Sequence, residues 1–144
     1  MFSKSCEYGI KATLYISYQS QLKKRVGIKD IAGAINSPEA FTAKILRELV
    51  KVGIIQSTKG PHGGFEIESE KHEKLKLAEI VLVLDGDQIY NGCGLGLKEC
   101  NALKPCPVHN DFVKVRDELK VMLESTMVKD LANGLINGNT FLKR

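Results

Sequence analysis

The sequence predicts a mainly α-helical protein with a small β-hairpin: a winged helix-turn-helix, then a cysteine-bearing loop and a further long helix. Three observations predict it. Apolar residues recur at helical spacing in several separate stretches, an Asn-Ser-Pro turn joins two of them, and a glycine-rich turn follows between short runs of alternating residues.

Residues 5 to about 20 place Tyr8, Ala12, Tyr15 and Ile16 near helical spacing, and the basic run Leu22 to Gly27 ends this first helix. A short periodic piece, residues 28–35, leads into residues 36–53. There Ser37 suits an N-cap, Pro38 the first helical position, Glu39 the positive helix end and Gly53 the C-terminal stop. At about 100° per residue, Phe41, Ile45, Leu49 and Val52 share one side of this helix. Ala40, Ala43, Lys44, Arg47 and Lys51 fall on the other. A small, basic face suits a major groove, because alanines permit close approach and cationic heads reach phosphates or guanine edges. Residues 53–68 then read as a hairpin with Lys59 and His62 near its tip, and a hairpin directly after such a helix is a wing. The site expected to contact DNA is therefore Ser37, Ala40, Ala43, Lys44, Arg47 and Lys51, with Lys59 and His62 on the wing.

Charge agrees with that division. Residues 1–60 carry ten Lys and Arg against four Asp and Glu, whereas the rest of the chain has a small acidic excess. A basic half suits a polyanionic partner. No stretch approaches the roughly 20 apolar residues needed to span a bilayer. Lys4, Glu7 and Lys11 also interrupt the opening where a leader would be uniformly apolar, so a cytoplasmic protein without membrane association is expected. No paired acid and base or activated nucleophile is visible, which argues against an enzyme. A basic helix-turn-helix argues against an electron carrier.

In a reducing compartment, closely spaced cysteines point to metal or redox chemistry rather than a disulfide. Cys93, Cys100 and Cys106 lie in a glycine- and proline-bearing stretch, with His109 three positions after the last. Three soft thiolates on an adaptable loop suit an iron–sulfur cluster. Zinc is the alternative metal, although only the step from Cys106 to His109 has the tight spacing of a zinc knuckle. A cluster-free loop is the third reading. Cys6 is read as a free thiol on the first helix.

The runs YGIKATLYIS, ILRELVKVGII, STKGPHGGFEI and KLAEIVLVLDG, with the three-cysteine loop, resemble the IscR/NsrR-type winged-helix regulators of the Rrf-two family. The resemblance covers about residues 2–130. It implies a homodimeric transcription factor, usually a repressor, that binds a palindromic double-stranded operator and often holds an iron–sulfur cluster that tunes DNA affinity. It also implies that KLAEIVLVLDG is helical, although its alternating residues alone suggest a strand. By the resemblance Cys93, Cys100 and Cys106 are cluster ligands, and the fourth is His109, as in the IscR type, or Glu7, as in the NsrR type. The IscR precedent favours a [2Fe–2S] cluster over a [4Fe–4S] one. One extra residue between Cys93 and Cys100 departs from that precedent and leaves the cluster type open. The alternative is a zinc-binding or cluster-free, thiol-switched regulator.

The expected organisation is a DNA-binding domain over residues 1–84, a cluster loop over 85–110, a dimerisation helix over 111–130 and a flexible tail over 131–144. On the dimerisation helix Phe112, Val115, Leu119, Met122 and Leu123 form the apolar stripe.

Overall fold

The computed structural model describes all 144 residues. Helix α1 (Lys4–Gln21) begins at Ser3, whose hydroxyl accepts from the Cys6 amide at 3.1 Å. Its buried stripe is Cys6, Gly9, Ala12, Thr13, Ile16 and Ser17, while Tyr8 and Tyr15 are only half-buried. The stripe is offset from the expected tyrosines because the small residues let neighbouring helices approach. The Tyr8 ring packs edge-on against Phe41 at a centroid distance of 5.6 Å.

Helix α2 (Ile28–Ile35) ends at Asn36 in the left-handed region, φ 53°, and α3 (Glu39–Lys51) follows. This is the expected helix-turn-helix, with two local corrections. Pro38, not Ser37, occupies the N-cap position of α3, and the Ser37 hydroxyl bonds that of Thr42 instead. The buried face of α3 is Thr42, Ile45, Leu46 and Leu49. Val52 lies beyond the last helical residue and is 54% exposed. Gly53 follows with φ 80°, as a helix stop requires.

Strands β1 (Gln56–Thr58) and β2 (Gly64–Glu66) pair antiparallel with Ser57 opposite Phe65. Val26 adds a single bridge on the other edge of β2: its amide donates to the Phe65 carbonyl at 3.1 Å and its carbonyl accepts from the Phe65 amide at 2.8 Å. This fixes the α1–α2 connection alongside the wing.

Helices α4 (Ser69–His72), α5 (Leu77–Asp85) and α6 (Gln88–Asn91) precede the cysteine loop. Leu77, Ile80 and Val81 of α5 are buried, which explains why an apolar run with strand-like alternation is a helix: it packs on α1 and α3. Helix α7 (His109–Ser125) starts two residues before the expected position. It buries only Leu123. Phe112, Val115, Val121 and Met122 are exposed, leaving most of the apolar stripe uncovered within one chain.

The expected division beyond residue 111 needs correcting. The long helix stops at Ser125, and α8 (Val128–Ile136) occupies the start of the supposed tail. Val128 and Ala132 are fully buried, and α8 packs on α1. The Leu77 amide donates to the Thr126 carbonyl and the Val128 amide to the Leu75 carbonyl, each at 3.0 Å, anchoring the turn. Tertiary burial overrides the poor helix propensity of the Asn- and Gly-rich segment.

Candidate nucleic-acid interface and cysteine loop

The exposed face of α3 carries Ala40, Lys44, Arg47 and Lys51, with Ala43 half-buried. Arg47 and Ala43 line a depression of about 200 Å³ that continues to Ile28, Ser57 and Phe65, so the basic helix and the wing share one surface. Lys59 and His62 are exposed at the wing tip. Ser37 is half-buried and its hydroxyl is engaged by Thr42.

The wing's conformation depends on two glycines. A Cβ at Gly63 would stand 2.1 Å from the Thr58 carbonyl oxygen. Gly64 adopts φ 131° with the Val26 carbonyl oxygen 2.9 Å from its Cβ position. No larger residue fits either without moving backbone.

In the cysteine loop the four candidate donors form two pairs. Cys93 Sγ lies 3.8 Å from Cys106 Sγ, and Cys100 Sγ lies 3.3 Å from His109 Nδ1. No three His, Cys, Asp or Glu side chains converge on one point that would hold a single ion. The backbone amide of Leu95 is the chief cause that holds the Cys93 thiol below its ordinary pKa. The Leu97 amide acts the same way, as do, more weakly, the Cys106 thiol and the Gly96 amide, against a desolvation effect that ranks between the two sets.

Two residues outside the cysteine pattern shape this loop. Arg116 of α7 donates to the Gly92 carbonyl, and its second terminal nitrogen lies 3.3 Å from Cys100 Sγ. Its Nε is buried without a partner. Phe112 packs under Gly94, where a Cβ would meet the ring at 2.5 Å. The sequence reading missed Arg116. The available signal was its seven-residue spacing from His109, which puts both on one face of α7.

Glu7 is not brought to the loop within this chain. Its carboxylate pairs with Lys4 at 2.8 Å, and that hydrogen bond is the main influence holding its pKa down. Cys6 is fully buried, and burial, with the Asp85 carboxylate behind it, pushes its thiol up to about 12. It is an inert core residue rather than a nucleophile.

The family model described as Rrf2, iron-dependent transcriptional regulator, matches residues 2–134. The chain belongs to the Rrf2 family. An HTH-type transcriptional regulator of Aquifex aeolicus (strain VF5) is 30% identical over 135 residues, covering 92% of each chain. Among solved structures, CymR of B. subtilis, a global cysteine regulator, superposes with a TM-score of 0.74 at 22% identity. The match covers 92% of this chain and 96% of that one. IscR of T. potens superposes with a TM-score of 0.73 at 21% identity, over 97% and 91% of the two chains. These two likenesses establish the mainly helical, winged fold. Membership of Rrf2 makes the protein a DNA-binding transcriptional regulator and not an enzyme. No helix is long and apolar enough to cross a membrane.

Proposed function

We propose that this Rrf2 regulator is a homodimeric repressor that reads a palindromic operator with α3 and the wing, and whose DNA affinity is set by an iron–sulfur cluster held on the loop between α6 and α7. The observation that carries the cluster reading is the pairing of donors. Two thiolates on one tetrahedral metal at about 2.3 Å stand about 3.8 Å apart, and a thiolate and an imidazole on one metal stand about 3.6 Å apart. The separations of 3.8 Å for Cys93 with Cys106 and 3.3 Å for Cys100 with His109 are close to those values. Two such pairs on one loop suit a dinuclear [2Fe–2S] centre with His109 as the fourth ligand. They suit a single zinc ion poorly, since no three donors converge. When bound, the cluster supplies a redox-active centre whose charge and presence change with the surroundings.

The chain's own residues do the rest. Backbone amides of Leu95, Gly96 and Leu97 support a thiolate at Cys93, and Arg116 holds Cys100 against α7. Because Arg116 also grips Gly92, a change in the loop is felt by α7. That helix, with Phe112, Val115 and Met122 exposed, is the surface proposed to meet a second copy. Two-fold symmetry then presents two α3 helices to successive major grooves, about 34 Å apart.

The test is elemental analysis and visible spectroscopy of protein purified without oxygen. Equimolar iron and sulfide with a visible chromophore are expected, and His109→Ala should alter the spectrum while Glu7→Ala leaves it unchanged. A colourless protein with stoichiometric zinc overturns the cluster reading. For the DNA surface, Lys44→Ala and Arg47→Ala should each lower the salt slope of duplex binding by about 1. Unchanged slopes overturn the assignment of α3.

A further inference from the structure

Resting on the DNA-binding reading, we propose a second contact to the sugar–phosphate backbone, in the cleft between the α1–α2 turn and the wing, carried by Lys23 and Lys24. The cleft has a volume of about 490 Å³ and no hydrophobic residue in its lining, which includes Lys23, Lys24, Arg25, His62 and Glu66. The three cations are not equivalent. Arg25 Nε lies 3.2 Å from the Glu66 carboxylate, and Arg25 donates to the His62 carbonyl at 3.4 Å. Arg25 thus ties the turn to the wing with its charge compensated. Lys23 and Lys24 are exposed and form no ion pair.

Their mount is rigid. The Lys23 amide donates to the Ser20 carbonyl and the Lys24 amide to the Gln19 carbonyl, each at 3.0 Å, and Val26 pairs with Phe65 of the wing. Phe65 also lines the depression that contains Arg47 and Ala43 of α3. One continuous surface therefore runs from the recognition helix across the wing to this turn. An extended polyanion fits that layout better than a small anion would, because the cleft is open and Glu66 sits in its lining.

A second observation concerns Lys23 itself. It adopts φ 59° just past the end of α1, in the left-handed region where glycine or asparagine is usual. A lysine there is locally unfavourable for the backbone. Its benefit is either a cation at the mouth of the cleft or a charge near the negative end of the helix. The two explanations make opposite predictions for stability.

Binding of a short mixed-sequence duplex is measured against salt for the wild-type chain, Lys23→Gly, Lys24→Gln and the double variant, together with their thermal midpoints. Lys104→Gln on the exposed cysteine loop serves as a control of equal charge. The salt slope should fall by about 1 for each single variant and about 2 for the double variant, and stay unchanged for Lys104→Gln. Lys23→Gly should raise the thermal midpoint. Double-variant slopes equal to wild type overturn the site, as does a fall in the Lys23→Gly midpoint, which would assign Lys23 to the helix end. Stronger competition by inorganic phosphate than by chloride at equal ionic strength would mark a free-anion site and also overturn the proposal. A wild-type chain that does not bind duplex DNA overturns the underlying reading, a failure distinguishable from the loss of this site alone.

Discussion

The sulfurs of Cys93 and Cys106, 13 positions apart in the chain, stand 3.8 Å from one another. Of the three loop cysteines, Cys100 is instead placed beside His109 and Arg116. In metal-free protein, an azo-type thiol oxidant should therefore join Cys93 to Cys106 first. The two thiols lose two electrons and two protons to the azo bond, which becomes a hydrazide. The depressed thiol of Cys93 supplies the attacking thiolate. Peptide mapping should find this disulfide, with Cys100 and the buried Cys6 still alkylatable after denaturation. A dominant Cys93–Cys100 or Cys100–Cys106 bond would contradict the pairing.

Arg116 is the clamp between loop and helix. Arg116→Gln removes the donor to Gly92 and the contact to Cys100, at a cost of about 1–3 kcal/mol. Hydrogen exchange should quicken across residues 92–106 while the amides of α7 keep their protection. Arg116→Lys should fail to restore protection, because a point cation cannot span two acceptors as a planar fork does. Unchanged exchange in both variants would show that the loop is held by other contacts.

Gly63 is required by space. Its Cβ position meets backbone of residues 58 to 60, with the Thr58 oxygen at 2.1 Å and the Gly60 oxygen at 2.9 Å, so no rotamer change relieves the clash. Gly63→Ala should cost about 1–3 kcal/mol and loosen the hairpin. The expected readout is faster exchange of amides in β1 and β2, weakened DNA binding and an unchanged helical circular dichroism signal. Retained hairpin protection would refute this.

His72 makes the fold acid-sensitive. It is buried, and its ring Nε2 lies 2.5 Å from the Ser17 hydroxyl. Desolvation lowers its pKa, with Glu73 raising it and Lys129 lowering it as lesser influences. The unfolded state then binds the proton more readily than the folded one. Stability from this group is complete above the unfolded value of about 6.5 and declines as pH falls below it. The thermal midpoint should drop between neutral pH and mildly acidic pH, and His72→Gln, which can still bond Ser17, should flatten that drop. An equal drop in the variant would assign acid sensitivity elsewhere.

How much of this was legible in the sequence depended on the kind of signal each part carries. The helix-turn-helix and the wing were readable because periodicity and turn chemistry are local. The Gly53 stop and the hairpin's Gly63 and Gly64 are required by their own immediate geometry. Helix α5 was readable only through family resemblance, since its alternating leucines and valines obey strand spacing. Its burial of Ile80 and Val81 against α1 and α3 settles the helix. Helix α8 was missed because its stability lies in Val128 and Ala132 packing on α1, not in its Asn- and Gly-rich composition. The cysteines as a group were legible from their close spacing in one glycine- and proline-bearing stretch. Their pairing was not, because contacts across an irregular loop follow no period and depend on residues such as Arg116 and Phe112 that carry no cysteine-like signature.

Helix α1 fixes the distance between two ends of the molecule. At its start, the Ser3 amide donates to the Asp85 carboxylate at 3.0 Å, and Asp85 ends α5 shortly before the cysteine loop. Past its other end stand Lys23 and Lys24 beside the wing. Its 18 residues make a rod of about 27 Å. Because Cys6, Ala12 and Ile16 lock this rod into the core, the start of α1 beside Asp85 and the two lysines past its end are held at one fixed spacing.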